Sequence, residues 1–453
     1  MKYTTIHNAI TRAIIGGVFS LASAVSVASP SANDIARLGK DLTLVGAEQA
    51  GNADGSIPAW TGGITKPPSG YVKDKGYTDP FGNEKPVYIV TGENADQYAD
   101  ILTEGYKALL AKYPNYKMLV YPTHRTAALP QAEYDLIREE AYSVQLAPGG
   151  NGMLNYEKSS VPFPLPTSGL EVIYNHFVRY RVGGYKYYPT EMVVKSSGNF
   201  NPVHREVTLV MASALGNPEP NRLYYYISNV TAPSSVAGVV SLLHEPLDQT
   251  KETRLAWQYS PGQRRVLRAP ELAYDTTESL SDGLRTLDMT DMFNGAPDKY
   301  NWKLVGKKEM LVPYNTYKLA DRSLKYSDIL QPNHLNQDLL RYERHRVWVV
   351  EATLKPSERH IYSKRVFYVD EDSWSIVAAD LFDGRGELWR FQEAHSLQRY
   401  DVLSSIHISD ISYDLQARSY VTYGLENEEP QAEFGIKREL KDFSPAALRR
   451  MGR

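Results

Sequence analysis

The stretch NADGSIPAWTGG, residues 52 to 63, sets Asn52, Asp54 and Ser56 two residues apart around Gly55. Oxygen-bearing side chains at alternate positions around a glycine are how a calcium loop begins. With Gly55 in the place of the invariant glycine, the first ligand position is Ala50 and the twelfth is Thr61. The chemistry requires Asp at the first and a bidentate Glu at the twelfth. Both requirements fail, so the expected structure is a tight turn at Asp54-Gly55, with Trp60 packed onto the body as an anchor.

Three further groups could do chemistry. Arg264, Arg265 and Arg268 fall together in PGQRRVLRAP. Guanidinium forks of this kind suit a phosphate or carboxylate, as a headgroup or on a partner. The competing reading is a strand salt-bridged to the acidic residues that follow it: Asp275, Glu278, Asp282, Asp288 and Asp291. That acidic run could hide a carboxylate pair for acid–base work, but a solvated loop is expected, because spacing alone does not make carboxylates converge. Histidines are scattered singly; His345, flanked by Arg344 and Arg346, is expected to face solvent or pair with a carboxylate. There is no G-x-S-x-G elbow, H-E-x-x-H pair or P-loop. His244-Glu245 runs straight into Pro246, which rules out a helical zinc arrangement. No catalytic residue, cofactor or metal ligand is assigned.

The positioning elements fall into two textures. Residues 29–183 read as loop-rich and helical. Ala95, Tyr98, Ile101, Leu102, Tyr106, Leu109 and Leu110 recur at helical spacing behind a possible Asn94 cap. A second helix is expected from about Gln131 to Ser143, started by Pro130, and a third over SGLEVIYNHFVRY. From Gly184 to about residue 440, strands dominate: HREVTLVMAS, RLYYYISNV, TRLAWQYS, RRVLR, WKLVGKKEMLV, RVWVVEATL, IYSKRVFYV, WSIVAADLF, ELWRFQEAHS and ARSYVTYGL. Short links between them imply antiparallel pairing, with residues 271–341 as long excursions and 441–453 as a tail. In RVWVVEATL and WSIVAADLF both faces are apolar, with Trp374, Ile376, Ala378 and Phe382 sharing one. A sheet wetted on one side alternates cleanly. Both faces of this one must be covered, or one must line a cavity.

Composition bounds the rest. Lys2 and Arg12 precede an uncharged apolar run from Ala13 to Ala28, with Ser26 and Ala28 at the −3 and −1 positions of a cut, the layout of a secretory signal peptide over 1–28. Losing Lys2 and Arg12 takes the formal charge from −3 to −5, and nothing favours nucleic acid. The chain has no cysteine, which removes disulfides, thiol chemistry and a lipoprotein anchor. Its 33 tyrosines against 11 phenylalanines suit a large sheet or an amphipathic cavity wall.

LTLVGAEQAGNADGSIPAWTGG, WQYSPGQRRVLRAPELAYD, WKLVGKKEMLVPYN and RHIYSKRVFYVDEDSWSIVAADLFDGRGELWRFQEA together resemble an exported proteobacterial family, domain of unknown function family 1329. The resemblance implies an α+β, β-rich fold like that of the Lol lipoprotein carriers, an unclosed antiparallel β-barrel with helices packed as a lid. It further implies a soluble, unlipidated periplasmic carrier or chaperone for a lipid-like ligand, in transient contact with membranes. Its partners would be an inner-membrane exporter of the resistance-nodulation-division (RND) type and an outer-membrane protein. The alternatives are a hydrolase acting on a lipid or sterol-like compound, and a ligand-free envelope scaffold. The wall of the hydrophobic cleft is expected among Tyr224, Tyr226, Trp257, Trp348, Tyr368, Trp374 and Trp389, with Arg264, Arg265 and Arg268 as headgroup or partner contacts.

Overall fold

The structure is a computed structural model that describes residues 30–269, 276–278 and 280–451. The expected signal peptide and Asp275 lie outside these residues. Seventeen strands form one sheet. In chain order they are β1 Tyr88–Thr91, β2 Lys117–Val120, β3 Gly184–Tyr187, β4 Thr190–Val194, β5 Phe200–Met211, β6 Arg222–Ala232, β7 Val240–Pro246, β8 Leu255–Ser260 and β9 Arg265–Arg268. They continue as β10 Tyr300–Pro313, β11 Tyr342–Leu354, β12 Lys364–Asp370, β13 Ile376–Phe382, β14 Leu388–Arg399, β15 Ser404–Asp414, β16 Ser419–Tyr423 and β17 Glu433–Phe434. Four helices matter below: α1 Glu104–Lys112, α2 Gln131–Glu140, α3 Gly169–Val178 and α4 Pro445–Met451.

Two antiparallel meanders make up the sheet. One runs β10 to β16 and the other β4 to β9, each strand pairing with the next in sequence. They join where β16 pairs with β4, Tyr420 opposite Val194 and Tyr423 opposite Glu191. Among the described residues no register pairs β9 with β10 at the far ends, so the sheet is unclosed. Turn chemistry fixes the hairpins as expected. Arg264 N–H returns to the Pro261 carbonyl, and Gly386 N–H to that of Asp383.

Both faces of the β10–β16 meander are covered, by different parts of the chain. Val350, Phe367 and Ala379 stand opposite one another in register and share one face. There they join a core with Val172, Ile173 and Phe177 of α3. Glu351, Val366, Asp380 and Phe391 form the next row, on the other face. On that side Phe391 packs in a second core with Tyr106, Leu109 and Leu110 of α1. This explains the apolar residues at both parities. Each helix is seated by its N-terminal chemistry. Ser168 caps α3 in a capping box with Glu171, and Thr103 caps α1. Asp380 then accepts the backbone N–H groups of Glu104 and Gly105 at 3.2 and 2.8 Å, so the sheet itself neutralises the positive end of α1.

The helical run expected from Asn94 divides in two. Ala95–Ile101 is a 3-10 turn, and the α-helix begins only after Thr103. Asn94 spends its carboxamide oxygen on Thr91 N–H within the preceding turn and caps nothing. Trp374 is also displaced from its expected place. It sits before β13 in left-handed backbone (φ 57°), with its indole N–H on the Val45 carbonyl at 3.0 Å. The strands β4, β7 and β15 lie outside the stretches that pattern alone marked.

Candidate functional site

A break in pairing creates the cavity. β16 covers only Asp410–Asp414 of β15. The remainder, Ser404–Ser409, has β14 on one side and no strand on the other. Across the gap, β5 divides its edge between β4, through Phe200–His204, and β3, through Val207–Val210. The sheet therefore splays between β15 and β3, and the space between them is a cavity of about 1450 Å³, open solvent at its mouth included. Its apolar lining comes from both cores: Phe177, Leu209 and Tyr224 from the α3 side, Leu319, Leu397 and Leu425 from the α1 side.

Tyrosines carry much of the wall: Tyr185 and Tyr187 on β3, Tyr224 and Tyr226 on β6, and Tyr423 at the end of β16. Tyr226 and Tyr423 bring their hydroxyls within 3.3 Å of each other. Burial pushes the phenols of Tyr185, Tyr187 and Tyr423 upward, which keeps them neutral. Such a wall presents ring faces to an apolar chain and hydroxyls to a polar one.

One region of the lining is charged. After α3 the backbone turns extended, so Arg179 and Arg181 emerge two residues apart on the same side. Both donate to the Asp291 carboxylate, with Arg179 Nη1 at 2.9 Å from Oδ2. Asp291 and Met292 both adopt left-handed backbone, φ 55° and 69°. Two such residues in succession are uncommon outside glycine, and here they turn the carboxylate inward. Burial alone would raise the Asp291 carboxyl; Arg179, Arg181 and His176 outweigh it and hold it well below the usual carboxylate range. His176 is kept neutral, chiefly by burial and then by Arg179. Its Nδ1 accepts the Ile376 N–H at 3.1 Å and its Nε2 meets the Asp291 carbonyl at 2.9 Å, which places the proton on Nε2. Beside this cluster His407 Nδ1 lies 2.8 Å from Asp410 Oδ1 and 3.6 Å from Asp291 Oδ1.

Asp291, His407 and Asp410 converge closely enough to hold a cation, as do His345, Asp370 and Asp372 elsewhere. In the first group both Asp291 oxygens already serve arginines, and in the second Arg125 takes both oxygens of Asp372 at 2.7 and 2.8 Å. Two guanidinium charges against the same carboxylate oppose a divalent ion there.

The expected solvated acidic loop is a different object. Asp288 meets Arg365 and His360, Asp291 meets Arg179 and Arg181, and Glu278 meets Arg205; of the four described acids only Asp282, paired with Lys195, is solvated. Buried arginines on the strands and after α3 draw these acids inward. The Asn52–Gly63 stretch forms a turn in which Asp54 accepts both the N–H and the hydroxyl of Ser56, and Arg344 clamps Asp54 at 2.9 Å. Trp60 is half-buried and donates to the Ala127 carbonyl at 3.2 Å. His345 is buried with its Nε2 3.0 Å from Glu343.

Of the aromatic residues named from sequence, Tyr224 and Tyr226 line the cavity and the other five do not. Trp257 packs beside His244 under α4. Trp348 stacks on Trp374, and Lys307 Nζ lies over the Trp348 ring, 4.8 Å from its centre. Tyr368 donates to Asp380 at 2.9 Å, and Trp389 donates to Asp414 at 3.1 Å. Arg264, Arg265 and Arg268 stand exposed at the free edge strand β9, with no carboxylate within 4.0 Å among the described residues. Sequence reasoning missed Arg179, Arg181, Arg399, His407 and Asp410. Three of them lie at positions the strand pattern left out, although SSIHISDISYD alternates Ile406 and Ile408 with polar neighbours and could have been read.

The sequence profile of a family described as protein of unknown function, DUF1329, matches residues 89–449. An uncharacterized protein of Pseudomonas aeruginosa, PA3922, is 48% identical over 440 residues, covering 96% of each chain. Two solved structures are similar at low identity. A Vibrio parahaemolyticus domain named for outer membrane lipoprotein sorting is 16% identical, with a TM-score of 0.44 over 62% of this chain and 98% of its own. The LolA superfamily protein NE2245 of Nitrosomonas europaea is 12% identical, with a TM-score of 0.38 over the same shares.

Proposed function

The chain belongs to the DUF1329 family, and on that premise we propose that it carries an amphipathic, lipid-like ligand in the cavity between β15 and β3. The observation that supports this reading is the cavity's make-up: apolar residues from both cores, a tyrosine wall, and a charged cluster in one region. Apolar surface removed from water is worth roughly 25 cal/mol per Å², enough for one long acyl chain to outweigh its ordering costs. A periplasmic site of action, transfer between inner and outer membranes, and cooperation with an RND-type exporter and an outer-membrane protein follow from the family resemblance. Among the described residues no helix is long and apolar enough to cross a membrane, which suits a shuttle that touches membranes transiently. A ligand-free scaffold is less well supported, because such a protein would fill this space with its own side chains.

Native mass spectrometry of protein purified from its own cells, with lipid extraction of the same sample, tests the reading. A stoichiometric co-purified lipid or sterol-like species supports it. An apo mass that takes up no lipid on incubation sinks it. The hydrolase reading draws on one observation, His407 beside Asp410 in the cavity. Release of p-nitrophenol from p-nitrophenyl palmitate, abolished by His407→Ala, would favour that reading instead.

A further inference from the structure

Arg399 ends β14 and lines the cavity, 7% exposed. Its guanidinium carbon lies 5.2 Å from the ring centre of Tyr77 and 5.0 Å from that of Phe434. Unlike Arg179 and Arg181, it has no carboxylate oxygen within 4.0 Å among the described residues, and its Nε is buried without a hydrogen-bond partner. Glu426 and Asp401 act on it only from farther away, with the Tyr77 hydroxyl as its near polar neighbour. Glu426 Oε1 accepts the Tyr188 N–H at 3.2 Å, and Tyr77 donates to Asp401 at 2.9 Å, so each is already engaged elsewhere. Arg322 lines the same cavity and has no carboxylate within 4.0 Å among the described residues; it donates to the Glu429 carbonyl. Four arginines therefore face three carboxylates in the lining, Asp291, Asp410 and Glu426. Aromatic rings hold the Arg399 fork in place, and burial without a counter-ion is costly unless a ligand completes the pair.

We infer that Arg399 is the headgroup site of the cavity, receiving the oxyanion of an amphipathic ligand whose apolar chain lies along the tyrosine wall. Arg322 adds long-range attraction at the same end. A planar fork takes a carboxylate or phosphate through two parallel N–H donors, one to each of two charged oxygens, whereas a neutral alcohol offers a single uncharged oxygen. This deepens the carrier reading and rests on it.

Palmitate, hexadecanol and inorganic phosphate, each titrated into wild type, Arg399→Gln and Arg399→Lys, separate the claims. Wild type is expected to bind palmitate about 10- to 100-fold more tightly than hexadecanol, the range of a charge-assisted hydrogen bond. Arg399→Gln should erase that preference while keeping hexadecanol affinity, which also shows that the variant is folded. Arg399→Lys should restore part of it. Equal binding of palmitate and hexadecanol by wild type, or a preference that survives Arg399→Gln, overturns the headgroup site and leaves the carrier standing. Binding of neither amphiphile overturns both. Phosphate bound as tightly as palmitate would mean an anion site that needs no chain, and overturns the amphiphile.

Discussion

His407 and Asp410 share one face of β15 although they are three residues apart, a spacing that puts side chains on opposite faces of a regular strand. Ile408 is the cause. Ser409 stands opposite His395 and His407 opposite Ser396, so Ile408 is the extra residue of a β-bulge. Bulges re-aim side chains near functional sites, and this one turns both groups into the cavity beside Asp291. Gly424 makes room for it: a β-carbon there would lie 2.8 Å from the Ile408 carbonyl oxygen.

Asp291 holds two arginines and the main-chain end of a buried histidine's hydrogen bond. Asp291→Ala leaves Arg179 and Arg181 without their counter-charge. Breaking a buried pair from one side costs about 3–5 kcal/mol, so the urea midpoint is expected to fall accordingly. An unchanged midpoint would show that the pair contributes nothing net.

Gly105 lies against the Phe391 ring, where a β-carbon has no room. Gly105→Ala should lift α1 from the sheet and cost about 1–3 kcal/mol, in the range of overpacked cores. On an exposed helix the same change would stabilise. A rise in melting temperature would mean that α1 is not seated as described.

Burial pushes the Asp380 carboxyl up to about 6, against the opposing donors Tyr368, Gly105 and Glu104. Between its unfolded value of about 3.9 and about 6, the folded chain keeps a proton that the unfolded chain has released. Stability is then expected to fall as pH rises from about 4 to about 6, by up to about 3 kcal/mol, and to level off above. Asp380→Asn should flatten that interval in denaturation curves taken at several pH values. An equally steep fall in the variant assigns the proton elsewhere.

The exposed trio Arg264, Arg265 and Arg268 has no described partner within 4.0 Å. Replacing all three by Gln should leave the melting temperature nearly unchanged. Binding to vesicles containing phosphatidylglycerol should weaken, since each basic residue near an anionic surface adds about 1 kcal/mol. Salt should erase the difference between variant and wild type. Equal vesicle binding at low salt would remove membrane contact from this edge.

Much of the sheet was legible because β-branched and aromatic runs bounded by turns have few other uses; β10 to β14 and β16 fall on stretches named from pattern alone. Apolar residues at both parities correctly required cover on both faces. The cavity was not legible, because it comes from register: where β16 stops along β15, and how β5 divides its edge. Trp348, Tyr368, Trp374 and Trp389 were reasonable candidates by size, yet neighbouring sheet faces and loops absorb them. Asp291 and Arg399 work through partners far away in the chain, which spacing does not reveal. The bulge at Ile408 hid a face change inside an otherwise readable strand.

The pairing of β16 with β4 joins residues such as Val421 and Val193, which are very distant along the chain. Each meander can assemble from local hairpins, whereas this seam must wait for a long loop closure, the slow kind of step in folding. The cavity borders that seam and draws its wall from both sides of it, so it exists only once the two meanders have joined. A bound ligand would then act as a late fastener. It would leave the rate of assembly almost untouched and slow the rate at which the two halves come apart.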